Sequence, residues 1–260
     1  ERFHPTFDMA GNAALDYTDG INFANQGTYL LATSYDFSTS TNMIWRWSLN
    51  TAYDPSTVTN PATPMTRDVS SLNARVGVNI AFNSDGTELY TGDLAEPWVH
   101  TWILDSPWDI SSGFHNGQVA LHDSGYGIAF WFSPNGQRAI TYNAQPEVFY
   151  SWDLSSPFFF GLETPTAEYP VVDRMSFEAN SIWVEENGEY VIGNFGEDAF
   201  MWDFGTPWDV STLSLLSSWS FPGDDIWYQG FHPVPDQDLV LTEFNSFGLA
   251  QLLDLVWTPP

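Results

Sequence analysis

Cationic side chains are nearly missing from this sequence. It contains no lysine, and its six basic residues are all arginine, set against 33 acidic residues for a formal net charge of -27. The arginines are scattered along the chain at Arg2, Arg46, Arg67, Arg75, Arg138 and Arg174. Binding to nucleic acid requires clustered cations that displace counterions from phosphates. We therefore expect no nucleic-acid partner, and by the same reasoning no binding to anionic membrane surfaces.

Cysteine and long apolar runs are missing as well. Without cysteine there is no disulfide and no thiolate metal site, and no apolar run approaches the roughly 18 residues of a membrane span. The five histidines show no His-x-x-x-His spacing, and no Asp-x-Asp-x-Asp-Gly loop occurs. We expect no cofactor, no bound metal beyond weak calcium binding to an acidic surface, and no membrane insertion.

Aromatic residues are what the sequence has in abundance. They make up 17% of the chain, with 13 Trp and 20 Phe, within a hydrophobic content of 43%. A chain of this size and composition can bury a substantial core, so its high charge does not indicate disorder. The surplus negative charge keeps the protein soluble at the cost of self-repulsion, which salt screens. A saline, extracellular setting suits such a composition.

A ten-residue phrase recurs through the chain at nearly constant spacing. WILDSPWDIS at 102–111 returns as WDFGTPWDVS at 202–211, and WDLSSPFFFG lies midway at 152–161. Each repeat unit has an anchor residue near the end of its third apolar run, and successive anchors are 50 to 55 residues apart: Trp47, Trp102, Trp152, Trp202 and Leu253. A period in this range is typical of repeat architectures such as solenoids and propellers.

The pattern within each unit predicts strands. Turn signals precede the anchors at Asn25-Gln26-Gly27, Asp85-Gly86, Asn135-Gly136, Asn187-Gly188 and Asp236-Gln237. Asn-Gly and Asp-Gly pairs supply the positive φ angles of two-residue hairpins, and the apolar residues around them alternate with period two. A fourth apolar segment follows each phrase, at Thr66–Val76, Gln118–His122, Thr166–Val171 and Leu213–Trp219. Each unit is therefore predicted to be a four-stranded sheet.

The two chain ends complete one another in this pattern. The last unit lacks a fourth segment, whereas the N-terminal stretch RFHPTFDMAG resembles a fourth segment with nothing before it. We predict one all-β domain over 1–260, a five-bladed β-propeller of four-stranded blades in which the N-terminal strand closes the last blade. The predicted blades are 20–76, 77–125, 126–172, 173–221, and 222–260 together with 1–11.

The phrase also carries a family resemblance. The stretches 49–57, 104–112, 154–162 and 204–212 read LNTAYDPST, LDSPWDISS, LSSPFFFGL and FGTPWDVST. They resemble the LST-(P/A)-(W/Y)-D-(I/V)-ST repeats of virion structural proteins from marine bacteriophages, cyanophages among them, and more loosely WD-type propellers. This resemblance implies a protein of the virion surface, as capsid decoration or in a head or tail fibre. Its partners would be other virion proteins or a host-surface glycan, within a larger assembly.

The phrase itself has two interpretations. In a propeller lectin, similar to the tachylectin type, its aromatic residues would stack on sugars and its Asp residues would accept hydroxyl hydrogen bonds. The candidate ligand-binding residues are Tyr53, Asp54, Trp108, Asp109, Phe158, Trp208 and Asp209. Alternatively, the aromatic residues fill the wedge between blades while Asp caps the following turn. The structural interpretation is favoured, because packing tolerates the third copy's change at Phe158 better than binding would.

Catalysis is the least supported class. A glycoside hydrolase needs two carboxylates about 5 to 10 Å apart, and acidic residues near the predicted second-strand ends are Asp36, Asp93, Glu96, Glu147, Glu197, Asp198 and Glu243. No hydrolase motif such as Gly-x-Ser-x-Gly accompanies them, so no catalytic residue is assigned. The first unit carries the extra polar stretches 34–42 and 59–66, which we interpret as loops suited to docking.

Overall fold

The fold is described from a computed structural model. It covers residues 6–8, 18–36, 39–58, 64–72, 76–121, 128–144, 147–161, 163–171, 181–195, 198–220, 228–233, 239–244 and 249–254. Every regular element longer than three residues in these ranges is a β-strand, as the period-two patterns predict. Three short 3-10 turns complete the set, at Pro55–Thr57, Ser70–Leu72 and Val210–Thr212. No helix in the described ranges is long and apolar enough to cross a membrane.

The described strands form five antiparallel sheets of four strands each. The first holds β2 (Thr18–Ala24), β3 (Tyr29–Asp36), β4 (Thr41–Ser48) and β5 (Met65–Asp68), and the second holds β6 (Val76–Phe82), β7 (Glu88–Asp93), β8 (Trp98–Ile103) and β9 (Phe114–Ala120). The third holds β10 (Ile128–Phe132), β11 (Arg138–Ala144), β12 (Glu147–Asp153) and β13 (Ala167–Pro170). The fourth holds β14 (Ser181–Val184), β15 (Tyr190–Phe195), β16 (Asp198–Phe204) and β17 (Leu213–Ser220). The fifth combines β1 (Thr6–Asp8) with β18 (Tyr228–Pro233), β19 (Leu239–Phe244) and β20 (Leu249–Asp254).

These sheets are the blades of a β-propeller. The first strand of each sheet contacts the first strand of the next sheet, in the order β2, β6, β10, β14 and β18. The ring closes because β18 contacts β2. The prediction of an all-β propeller with four-stranded blades is therefore confirmed. Pairing of the two chain ends is also observed, because Thr6 lies opposite Gln251 and Phe7 opposite Ala250. The remainder of the segment predicted to close the ring lies outside the described residues.

The register follows the anchors of the sequence pattern. Each anchor lies opposite the apolar residue that follows the preceding turn, in the pairs Leu30–Trp47, Leu89–Trp102, Ala139–Trp152, Val191–Trp202 and Val240–Leu253. Trp47, Trp102, Trp152 and Trp202 are all buried. Since a one-residue slip would turn these large side chains to the opposite face, their burial fixes the register.

The turn chemistry differs from the sequence prediction. In the second blade the turn spans Asn83 to Thr87, and the Gly86 N–H donates to the Asn83 carbonyl at 3.1 Å. Gly86 has a φ of +73°, whereas Asp85 is not among the residues with positive φ. The Asp-Gly and Asn-Gly pairs therefore close longer loops with one left-handed glycine, and the prediction of two-residue hairpins was wrong.

Further boundaries were mispredicted. The fourth segment expected over Thr66–Val76 is the shorter strand β5, Met65–Asp68, and Val76 begins β6 of the second blade. The fourth strand of the second blade is β9, which begins at Phe114 rather than Gln118. Most of the stretch 34–42 is strand, because β3 extends to Asp36 and β4 begins at Thr41. The strand ends are polar like a loop, although Ser34 and Asn42 are buried there. The stretch 59–66 falls largely outside the described residues.

Candidate functional site

The aromatic residue of each phrase has an unusual local geometry. All four residues have a positive φ, between 60° and 66°: Tyr53, Trp108, Phe158 and Trp208. In each blade the aromatic N–H donates to the carbonyl of the turn glycine of the same blade, at 2.7 to 3.1 Å, on Gly27, Gly86, Gly136 and Gly188. The ring lies so close to this glycine that an added Cβ would fall within 2.1 to 2.5 Å of ring atoms. The turn glycines are therefore needed both for their φ and for their missing side chain.

The Asp of the phrase caps a turn. Asp109 Oδ1 accepts from the N–H and the hydroxyl of Ser111, at 3.0 and 2.6 Å. Asp54 and Asp209 make the same pair of bonds to Ser56 and Ser211. Hydrogen bonds from Ser111 hold the pKa of the Asp109 carboxyl below its usual range. This carboxylate oxygen is thus occupied by its own turn.

The candidate ligand-binding residues are dispersed around the ring, one cluster in each of the first four blades. Phe158 and Trp208 are each only 8% exposed, and Tyr53 and Trp108 are half-buried. This geometry agrees with a structural use of the phrase. A carbohydrate-binding role for these seven residues stays a prediction, and it would have to use the limited ring surface that remains open.

Arginine side chains connect neighbouring blades at the phrase. Arg67 on β5 donates to the carbonyls of Ile110 and Ser112 in the second blade, and Arg46 on β4 donates to the carbonyl of Trp108. Arg46 also lies over the ring of Tyr29, 4.3 Å from its centroid. A related contact joins the third and fourth blades, where Arg138 donates to the Pro207 carbonyl at 3.3 Å. All three arginines in the described ranges therefore bond between blades.

The third blade departs from this scheme. Phe159 stands where the other copies have Asp54, Asp109 and Asp209, and its side chain is 52% exposed. Glu163 replaces the missing cap by accepting from the N–H of Ser155 at 3.1 Å and from that of Gly161 at 2.6 Å. Hydrogen bonding from Ser155 holds the pKa of Glu163 below its usual range. An exposed aromatic has thus taken the place of a capping carboxylate.

This exposed phenylalanine borders an open cleft between the second and third blades. One wall is the end of β9, formed by Gln118, Val119 and Ala120, and the other contains Ser155, Phe159 and Glu163. The cleft has a volume of about 760 Å³. The sequence pattern points to Phe158 and does not reveal this site, because only the structure shows that the adjacent Phe159 is the residue that faces solvent.

A buried polar group lies in the second blade. His100 and Asp93 are both fully buried, with His100 Nε2 3.4 Å from Asp93 Oδ2 and His100 Nδ1 3.4 Å from His115 Nε2. Burial and the neighbouring His100 lower the pKa of His115. The histidines have no motif spacing, but β-pairing brings two of them together. Among the described residues, no group of three or more His, Cys, Asp or Glu has a geometry that could hold a metal ion.

Comparison with solved structures finds proteins of similar fold. Glutaminyl cyclase from Myxococcus xanthus is similar with a TM-score of 0.59 and 14% identity, covering 97% of this chain and 95% of that chain. Raptor from Chaetomium thermophilum gives 0.52 and 16%, covering 100% of this chain but 22% of its own. The Cps50 (Swd1) β-propeller domain from Myceliophteria thermophila gives 0.49 and 11%, covering 98% and 99%. At these identities the likeness concerns the fold alone. No family model and no curated protein matches the sequence.

Proposed function

We propose that this protein is a non-enzymatic structural and adhesion protein of a virus particle surface, acting as capsid decoration or as part of a head or tail fibre. The proposal rests on the structural role of the phrase residues. Its aromatic residue, its Asp and the adjacent arginine side chains are engaged in holding the turn and the neighbouring blade. A ring braced in this way suits rigid display of its surfaces to a partner.

The sequence supports the particle setting. Its repeated phrase resembles that of marine bacteriophage virion proteins, and a net charge of -27 is tolerated best in saline surroundings, where repulsion is screened. Few basic residues also mean few sites for trypsin-like proteases outside a cell. Other virion proteins or a host-surface glycan are the partners that fit this setting.

Catalysis fits the described acidic residues less well. Asp93, one of the candidate hydrolase carboxylates, is fully buried and accepts a hydrogen bond from the Ala95 N–H at 2.8 Å. A general acid or base must reach substrate, and a carboxylate without solvent access does not. We therefore keep a glycoside hydrolase only as a third candidate.

A propeller lectin is the second candidate, and one observation favours it. Phe159 presents an aromatic ring to solvent beside a cleft with polar groups on both walls. Protein sites for small ligands commonly combine apolar surface with a few placed polar groups. Display on a particle and glycan binding are compatible, because attachment to a host glycan is one task of such a surface.

Locating the protein tests the proposal. A cryo-EM map of purified particles from the source of this chain should contain propeller-shaped density on the capsid or a fibre into which the described strands fit. Labelling of the particles with an antibody raised against the folded chain provides an independent readout. Particles that lack both the density and the label, together with recovery of the chain as a free protein, would contradict the virion assignment.

A further inference from the structure

The outer strands of the first three blades share one equivalent position beside the groove that separates each blade from the next. Arg67, Val119 and Tyr169 occupy this position in the first three blades, since each pairs with the residue three before the anchor tryptophan: Ile44, Val99 and Phe149. The groove is bordered on its other side by the phrase of the next blade. The side chain at this position therefore differs in length and polarity from one blade to the next.

Two of these grooves are filled by a long side chain. Between the first and second blades, Arg67 reaches the phrase and donates to the Ile110 and Ser112 carbonyls. Between the third and fourth blades, Tyr169 packs against the cluster that contains Trp208 and Val210. Between the second and third blades, the shorter Val119 packs against the cluster that contains Phe158 and Phe160, and a cleft of about 760 Å³ stays open beside it.

Three departures from the repeat converge on this cleft. Val119 lines it with a shorter side chain than Arg67 or Tyr169, Phe159 replaces an Asp and projects an aromatic ring at its border, and Glu163 restores the cap that Asp would have made. Exposing a large aromatic ring to water gives no folding benefit. Since the other copies keep Asp, a purely structural repeat has no need for this set of changes.

We propose that this cleft is a binding site for a neutral saccharide, an inference that rests on the proposed attachment function and names its ligand class. The apolar C–H face of a sugar ring would stack on Phe159, with Val119 and Ala120 forming the opposite wall. Sugar hydroxyls would donate to the carboxylate of Glu163 and exchange hydrogen bonds with the Gln118 amide. A carboxylate has about four lone-pair positions, so Glu163 can accept these bonds while it caps its turn.

The negative charge at the cleft and over the whole chain favours an uncharged ligand. None of the described residues lining the cleft is basic, Glu163 lies at its wall, and the whole chain carries a net charge of -27. An anionic sugar, such as a uronate, would meet this field without a compensating cation. A neutral hexose oligomer avoids that penalty and uses both the ring and the polar rim.

The test uses saturation-transfer difference NMR with the intact protein and a fixed panel: maltotriose, cellotriose, chitotriose and mannotriose, with trigalacturonate as the anionic comparison. At least one neutral trisaccharide should receive saturation from the wild type, and trigalacturonate should not. Phe159→Ala, which removes an exposed ring, and Val119→Tyr, which installs the residue type of the third blade, should each weaken binding about tenfold or more. Phe114→Ala is the matched control, because Phe114 is a 58% exposed aromatic on β9, the strand of Val119, but does not line the cleft.

The outcomes separate this inference from the attachment function. No saturation of any neutral trisaccharide by the wild type, or equal binding by Phe159→Ala and Val119→Tyr, overturns the saccharide site. Self-association of the wild type that Val119→Tyr abolishes would assign the cleft to a second copy of the chain and also overturn it. Propeller density on the particle would leave the proposed function standing in either case, whereas its absence beside a working saccharide site would favour the free lectin.

Discussion

The N–H of Trp108 donates to the carbonyl of Gly86 at 2.7 Å, and the indole of Trp108 covers the glycine so closely that a Cβ there would lie 2.3 Å from Trp108 Cε2. Gly86 itself has a φ of +73°. Two unrelated demands, a left-handed backbone and the absence of a side chain, thus meet at one residue. The same relationship in the other described phrases makes the contact a structural signature of this repeat.

Replacing this glycine should destabilise the protein strongly. Gly86→Ala imposes both left-handed strain and a clash with the Trp108 ring, and we expect the free energy of unfolding to fall by about 2 to 5 kcal/mol. Gly205→Ala is the matched control, because the nearest atom to a Cβ there is 3.4 Å away and the position lacks a positive φ. Urea denaturation of both variants checks the difference, and similar losses would argue against the contact.

Two adjacent phenylalanines should respond in opposite ways. Phe158 is 8% exposed and packs against Phe132, whereas Phe159 is 52% exposed. Phe158→Ala should cost about 3 to 5 kcal/mol of unfolding free energy by leaving a cavity, and Phe159→Ala less than about 1 kcal/mol. Thermal and urea unfolding give the comparison. A large loss in Phe159→Ala would mean that this ring serves the fold rather than a ligand.

The arginine that bridges the first two blades should contribute more than its exposed counterpart. Arg67→Met removes two donors from the Ile110 and Ser112 carbonyls, so we expect a loss of about 2 to 4 kcal/mol. Arg138→Met provides the comparison, because the bond of Arg138 to the Pro207 carbonyl at 3.3 Å and its ion pair with Asp153 at 3.5 Å are both exposed to solvent. Exposed pairs of this kind contribute about 0 to 1 kcal/mol. Equal losses of unfolding free energy for Arg67→Met and Arg138→Met, measured by calorimetry, would contradict the stabilising role of Arg67 between the blades.

Stability should depend on His115 in mildly acidic solution. Its pKa is lowered in the folded protein by burial and by His100, so the unfolded chain binds the proton more readily. The stabilisation of the folded protein by neutral His115 is therefore fully present above the unfolded pKa of about 6.5. It is lost as the pH falls through the lower pKa of the folded state. Between pH 7 and 5, His115→Asn should lose less unfolding free energy than the wild type, with Asn116→Ala, on the same strand, behaving like the wild type. Parallel pH profiles for all three proteins would refute this role.

Most of the fold can be predicted from the sequence, because the strongest signals in the sequence are local. The turn glycines and the anchors Trp47, Trp102, Trp152 and Trp202 locate the hairpins, and their observed pairing follows the period-two pattern. The change at Phe158 in the third copy favours a structural use of the phrase, and the capped turns agree with it. Local pattern thus predicted where strands and turns occur.

Features that depend on contact between blades could not be predicted in this way. The open cleft lies between Val119 and a phrase some forty residues away, and no local pattern relates the two. Glu163 replaces the missing Asp from a different position in its loop, which conceals the substitution in an alignment of the repeats. The positive φ of the phrase aromatics was equally hidden, because bulky residues seldom adopt it.

The central structural claim is that the two ends of the chain form one sheet, and the absence of native cysteine allows a direct test. Thr6 and Gln251 lie opposite each other in the antiparallel pair β1–β20, at a spacing that a disulfide can bridge. The double variant Thr6→Cys with Gln251→Cys should form an intramolecular disulfide under mild oxidation, read as loss of both free thiols in the monomer by mass spectrometry, and should unfold at a higher temperature than its reduced form. A control pairing Thr6→Cys with Ser84→Cys, in the exposed turn of the second blade, should keep its thiols free. Free thiols in the first variant, or equal crosslinking in the two, would contradict the closure of the ring.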